Sequence, residues 1–281
     1  MTKEKNIVKK LKRWEVFEND CFYYLNNKYL KQNIEFIKAG KSNSKCSDIK
    51  ALKDKKDIFN IEIKMKSSQS SQFALRIEND KFIYSNLNQN NNNEYSKKII
   101  DYLNLNYETY KNINQSNIEI NLPSELYKDW INSHYNKLNT KFIITGNKNN
   151  KIILPIESID KYFKIRCFLR KKKSGSRKLP KSDYDIVEKY IKENIDESFS
   201  TFNINKEFYI EFDTEIKKDI KFNIEDNLYM LAPCKNNNIC IVRKLSNTNN
   251  PTVIFSLKLY NDKQYEDDLN KFLYYIEKDD K

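Results

Sequence analysis

Asp48, Glu62 and Lys64 carry the first chemical suggestion in this chain of 281 residues. Two carboxylates can hold a hard divalent cation, and an ammonium beside them can balance charge that develops on a phosphoryl group. An acid followed by acid-x-lysine on the next strand is therefore a layout for metal-dependent phosphodiester hydrolysis. The triplet Glu62-Ile63-Lys64 has little weight alone. With 39 acids and 51 lysines and arginines, about seven such triplets arise by chance. Glu215-Ile216-Lys217 is a second copy.

The surrounding elements separate the two copies. Ile58, Phe59, Ile61, Ile63 and Met65 form an apolar, mostly β-branched run that predicts a buried strand. With a period of two, Ile61, Ile63 and Met65 face one way and Glu62 and Lys64 the other. Asp48 to Leu52 predicts the neighbouring strand and Lys53 to Asp57 the polar turn, so the hairpin brings Asp48 towards Glu62. The second triplet runs into Lys218 and Asp219 and reads as a solvated turn.

Upstream, Trp14, Phe17, Cys21, Tyr24 and Leu25 recur at helical spacing and predict an amphipathic helix over 14–30. Positions 14, 18, 21 and 25 share one stripe, which sets Glu18 among apolar side chains. A buried carboxylate is costly unless paired or bound to metal. Glu18 thus reads either as a structural acid bonded to backbone or as a third acid beside Asp48 and Glu62. The polar run Ser67 to Gln72 predicts a capped helix start continuing through Phe73, Ala74 and Leu75, with the Gln69 and Gln72 amides facing the active strands.

The formal net charge is +12 and is unevenly placed. Lys161 to Ser182 contains ten lysines and arginines and no acid. Such a run fits a polyanion-binding surface, the alternative being a solvated basic turn. At its centre lies Lys173-Ser174-Gly175-Ser176-Arg177. Glycine permits close approach to a groove, serine bonds to any base edge, and Arg177 has the fork to bond guanine twice. Arg170, Lys171, Lys172, Lys173 and Lys178 around it could hold phosphates.

Other chemistries are disfavoured. The five cysteines include no C-x-x-C pair, which argues against zinc and a disulfide framework. The single histidine, His134, is expected on a helix surface, and three glycines cannot make a Gly-rich phosphate loop. No stretch is long and apolar enough to span a membrane, and Met1 to Arg13 lacks the apolar core of a signal peptide. A reduced, cytoplasmic location is expected.

Further along, helices are predicted over 94–111 and from Pro123-Ser124, the latter with Leu126, Trp130, Ile131 and Leu138 inward. Strands follow at 140–145, 151–156 and 162–170, then a helix at 183–194. Strands return at 208–212, 228–232, 239–244 and 251–259, before a helix at about 264–277. This order predicts an α+β chain in three units, 1–113, 114–182 and 183–281.

With these residues placed, the chain resembles the PD-(D/E)xK nucleases, and more closely the HhaI-type restriction endonucleases, which cut at GCGC. Four colinear blocks carry the likeness. The first is Trp14 through Leu25 with Glu18. The second is Gly40, Ser42, Ser44 and Ser47-Asp48-Ile49, then Glu62-Ile63-Lys64-Met65, Ser68-Gln69 and Gln72-Phe73. The third is Phe142 to Pro155 with the Lys172 to Arg177 loop, and the last is Leu245 to Thr248 followed by Val253 to Ser256.

The resemblance implies a nuclease core, a mixed β-sheet flanked by helices, over 1–113. Two smaller mixed α/β-sheet domains would follow, one for sequence recognition (114–182) and one for non-specific DNA contacts (183–281). It implies a monomer that cuts the strands of double-stranded DNA in turn, with a cognate DNA methyltransferase in the host. Mg²⁺ would be held by Asp48, Glu62 and the Ile63 carbonyl. Lys64 would orient water, Glu18 would serve as a third acid, and Gln72 would be an outer catalytic or DNA contact. The alternatives are a PD-(D/E)xK nuclease with another target, or a basic DNA-binding protein without catalysis.

Overall fold

The computed structural model describes residues 12–30, 33–39, 46–85, 92–113, 117–173, 175–234, 237–246 and 249–277. In chain order these form α1 (Arg13–Tyr29), β1 (Ile34–Lys38), β2 (Ile49–Lys53), β3 (Lys56–Ile63), β4 (Ser67–Glu78), β5 (Lys81–Tyr84), α2 (Glu94–Leu105), α3 (Tyr107–Tyr110), β6 (Ile118–Glu119), α4 (Ser124–Lys137), β7 (Thr140–Gly146), β8 (Lys151–Pro155) and β9 (Phe163–Lys173). There follow β10 (Ser176–Lys178), α5 (Tyr184–Asn194), β11 (Phe199–Ile204), β12 (Glu207–Phe212), β13 (Ile220–Ile224), β14 (Asn227–Pro233), β15 (Ile239–Leu245), β16 (Asn249–Leu259) and α6 (Glu266–Glu277). The fold is α+β. No described helix is long and apolar enough to cross a membrane.

The chain makes two compact units. One joins Lys12–Lys171 to Pro251–Lys281, and the other contains Lys172–Asn250. This division departs from the expected boundaries at 113 and 182. β7, after residue 113, pairs in parallel with β3, and the chain returns after 250 to complete the first unit.

The first unit has two sheets, ordered β1-β2-β3-β7-β8 and β5-β4-β16-β9-β6. Alternation along β7 shows how the first sheet is covered. Phe142 and Ile144 enter a core with Phe17, Cys21 and Leu25 of α1 and Phe272 and Ile276 of α6. Ile143 enters another with Trp130 and Tyr135 of α4 and with Phe73 and Phe255 of the second sheet. Period two thus assigns opposite faces of one strand to two cores. Phe59, Ile61 and Ile63 of β3 all join the α1–α6 core, which sends Glu62 the other way.

Several expectations are corrected. Ser67 to Leu75 is strand β4, not a helix: Val253, Ile254 and Phe255 of β16 supply its partner strand, and Phe73 and Leu75, two apart, are buried. The turn between β2 and β3 is only Asp54 and Lys55, both with positive φ (48° and 66°), as a two-residue hairpin requires. The buried stripe of α1 is Phe17, Cys21, Leu25 and Tyr29, while Trp14 is 42% exposed. The helix over 94–111 breaks at Asn106 into α2 and α3. His134 is buried, stacked on Trp130 at 5.1 Å, because α4 is covered on more than one side.

The second unit is one antiparallel sheet, β11-β12-β15-β14-β13, with β10 added along β15. Val187 and Ile191 of α5 pack on Phe208, Ile210 and Phe212 of β12. Glu215 and Lys217 are exposed and outside any strand.

Candidate active site

The β2–β3 register sets Ile49 opposite Ile61, which brings Asp48 level with Glu62. Asp48 Oδ2 accepts the Ile63 N–H at 2.8 Å, and its carbonyl accepts from Ala39 N at 2.9 Å. The preceding Ser47 hydroxyl is bonded to the Thr140 hydroxyl at the start of β7. Asp48 is thereby held from β1, β3 and β7 although it precedes its own strand.

On β3, Lys64 Nζ donates to Glu62 Oε1 at 2.6 Å, and these side chains are only 11% and 13% exposed. Lys64 N donates to Ile144 O at 3.0 Å and locks this end of β3 to β7. Behind them α4 contributes Tyr135, whose buried hydroxyl donates to Ser70 O at 3.0 Å and lies 3.3 Å from Ser70 Oγ. Ser70 falls at the register shift between β4 and β16, and a bulge of this kind re-aims a side chain.

Electrostatics tie Glu18 to this group. Burial, then Glu62, pushes the Asp48 carboxyl up to about 7; Lys64 and the Ile63 N–H oppose the rise and Glu18 adds to it. Glu18 is raised by burial, then by Glu62, with Lys64 opposing. For Lys64 burial disfavours the charge, but Glu62, Tyr135 and Asp48 outweigh it and hold the ammonium above its ordinary range. His134 is pushed down to about 4 by burial and then by Lys64.

Three acids thus share the field of one ammonium, a surplus of negative charge made of hard oxygen ligands. That donor set fits Mg²⁺ or a similar cation. Among the described residues no group of three or more His, Cys, Asp or Glu side chains stands close enough together to hold a metal ion, so side-chain carboxylates alone do not complete a site. One oxygen of Asp48 and one of Glu62 are taken by Ile63 and Lys64, and the second oxygen of each has no partner among the described residues.

Gln72 lies on the exposed side of β4, and its side-chain oxygen accepts from Gln69 at 2.8 Å. Sequence reasoning gave no role to Ser70, Tyr135 and Thr140, and named Ser47 only within the resemblance. The available signal was the helical stripe of α4, in which Tyr135 falls four residues after Ile131.

The basic segment straddles the two units. Arg170 and Lys171 end β9 in the first, both half-buried, and Arg170 Nε is buried without a hydrogen-bond partner among the described residues. Lys172 to Lys178 belong to the second. There the Gly175 carbonyl accepts from Ser246 N at 3.3 Å, and a Cβ on Gly175 would meet open space. Ser176 and Arg177 are exposed on β10, in register with Leu245 and Lys244 of β15.

The acids here engage the neighbouring cations. Asp183 takes Lys244 at 2.7 Å, while Glu207 takes Arg243 at 3.0 Å and Lys178 at 3.5 Å. Arg177 pairs with no acid among the described residues. The side chains of Lys172 and Lys173 lie outside the described set, as do Gly40, Ser42, Ser44, Ser174, Asn247 and Thr248.

A solved structure of HhaI endonuclease in complex with DNA is similar to this chain, with a TM-score of 0.81 and 32% sequence identity, over 94% of this chain and 99% of that one. No family model and no curated protein sequence matches the chain.

Proposed function

The chain belongs to the HhaI family of type II restriction endonucleases, site-specific deoxyribonucleases, and from that premise we propose that it hydrolyses double-stranded DNA at GCGC with Mg²⁺, leaving 5′-phosphate and 3′-hydroxyl ends. The observation that carries the reading is the convergence of Asp48, Glu62 and Lys64, at most 16 residues apart and joined by one hairpin, at one end of the strands of the first sheet. The HhaI endonuclease structure holds DNA, and the basic charge of this chain suits the same ligand.

Asp48, Glu62 and the Ile63 carbonyl would hold the metal, with Glu18 as the third acid. A bound divalent ion supplies positive charge against the phosphoryl oxygens and favours hydroxide over water. Lys64 orients the attacking water and offsets the charge that develops on the phosphate. Its ion pair with Glu62 keeps it protonated for that task. Gln72 makes an outer contact to the centre or to DNA. Arg177 bonds guanine, Ser176 and Ser174 bond neighbouring base edges, and Gly175 gives the backbone close approach. Arg170, Lys171, Lys172, Lys173 and Lys178 hold phosphates. The enzyme acts as a monomer on the two strands in turn, and a methyltransferase of the same specificity protects the host DNA.

A digest of sequenced plasmid with and without Mg²⁺, with the ends mapped, tests the whole reading. Cuts confined to GCGC are expected. Cuts at another fixed sequence would remove GCGC and leave the nuclease; intact plasmid at every metal concentration would leave only a DNA-binding protein.

A further inference from the structure

The turn between β7 and β8 lies at the same end of the strands as Asp48, Glu62 and Lys64. In the parallel β3–β7 register Ile63 is level with Ile144, so Lys64 is level with Thr145 and the turn begins two residues on. From Thr140 to Ile156 the chain has no acid, and the exposed turn is Asn147-Lys148-Asn149-Asn150.

This turn is braced by bonds that occupy several of its acceptors. Asn147 N donates to Asn150 O at 2.8 Å. Asn147 Oδ1 accepts from Asn149 N and Asn150 N, both at 2.9 Å. The carbonyls of Asn147 and Lys148 are taken by Lys151 Nζ, the latter at 3.3 Å. Asn150 Nδ2 donates to Asp262 O at 3.0 Å. Gly146 has φ of 119°, and a Cβ there would stand 2.0 Å from Asn150 O, so glycine is required. What remains for solvent includes the exposed Lys148 ammonium and its backbone N–H, beside the Asn149 amide, which can donate or accept.

Beneath the turn Lys151 is only 9% exposed, with its ammonium 5.2 Å from the centre of the Phe17 ring. No carboxylate among the described residues pairs with it. A buried, uncompensated charge is costly and calls for a counter-ion. Its nearness to the centre shows in the buried Cys21 thiol, raised to about 12 by burial, on which Lys151 and, with opposite sign, Asp48 also act.

We propose that this turn is a phosphate-binding site for the DNA backbone beside the cleavage centre, with Lys148 making the direct contact and Lys151 supplying the charge beneath it. The inference rests on the nuclease reading above. Lys148 lies three residues past the level of Lys64, and because the chain turns after Gly146 that is at most about 10 Å of advance, no more than about three steps of one DNA strand at ~3.4 Å rise each.

The test is the salt dependence of binding of a GCGC duplex in EDTA by the full-length wild type, Lys148→Ala and Lys151→Gln, with phosphate-ethylation interference on the same duplex. For Lys148→Ala the log–log slope should fall by about 0.9 and the affinity by about eightfold at 0.1 M salt, with the loss in kcat/KM carried by KM. One interfering phosphate within about three steps of the cut should disappear. An unchanged slope in Lys148→Ala, or loss of interference only at a distant phosphate, overturns the proposal even if Lys151→Gln fails to fold. A wild type that neither binds nor cuts duplex would instead refute the nuclease reading.

Discussion

Replacing Asp48 by asparagine should stabilise the metal-free protein while ending cleavage. Burial and the neighbouring Glu62 raise the Asp48 carboxyl from 3.8 to about 7. A raised acid means that the folded state still holds a proton which the unfolded chain has already released. Stability attributable to this group is therefore intact below about pH 4, falls as pH climbs, and is fully lost above about pH 7. A shift of about three units sets a ceiling of about 4 kcal/mol. Asp48 keeps part of its surface in water, so about 2 kcal/mol is the working figure after screening. Asparagine retains an oxygen for the Ile63 N–H, so the local backbone is undisturbed.

Urea denaturation in EDTA at about pH 4.5, 6 and 8 measures this directly. The difference between variant and wild type should be smallest at the lowest pH, about 1 kcal/mol, and grow to its plateau at the highest. Added Mg²⁺ should stabilise the wild type and leave the variant almost unmoved. A variant less stable than wild type at pH 8, or an offset independent of pH, would refute the claim that the centre stores unfavourable charge for a cation.

Lys64→Ala should abolish plasmid cleavage while retaining duplex binding by mobility shift; cutting at the wild-type rate would unseat the assigned centre. Arg177→Ala should reduce discrimination at one base pair by ~1–3 kcal/mol, read as the ratio of specific to non-specific affinity. Gly146→Ala should cost about 2 kcal/mol or more in thermal or urea unfolding, because its Cβ would strike Asn150 O. Gly175→Ala should stay within about 0.5 kcal/mol, since nothing stands near its Cβ. With His134 held neutral down to about 4, the Mg²⁺ concentration for half-maximal cleavage should rise about tenfold per pH unit below 7 as protons compete for Asp48; a titration series across pH reads this.

The placement of Asp48 beside Glu62 and Lys64 was legible because its signals are local. Alternation around Ile61, Glu62 and Ile63 fixed which side each residue faces, and β3 obeys it. One short hairpin then sufficed to bring in Asp48. Glu18 was singled out on a partly mistaken stripe, which runs through Phe17 rather than Trp14; Glu18 flanks it within the field of Glu62. The misread segments depend on distant partners. Ser67 to Leu75 is a strand because β16, over 170 residues later, lies beside it. His134 is buried because Phe255 and Trp130 build an aromatic stack around α4. The brace under Asn147 to Asn150 uses Asp262 and Phe17, from opposite ends of the sequence. No window of neighbouring residues contains those relationships.

The second unit interrupts the first between β9 and β16, which are neighbours in one sheet. This arrangement orders events during synthesis. Phe272 of α6 packs within 5.2 to 6.4 Å of Tyr29, Phe36, Phe59 and Phe142, and so supports the strands that carry Asp48 and Glu62. Neither it nor β16 exists on the ribosome until residues 172–250 have emerged. Domains generally fold as units while the chain emerges, so the inserted unit can fold before the strands that carry Asp48 and Glu62 acquire their full support. A chain stopped at residue 250 would lack both β16 and α6. Premature termination there therefore yields a basic fragment with an unfinished sheet rather than an unrestrained nuclease.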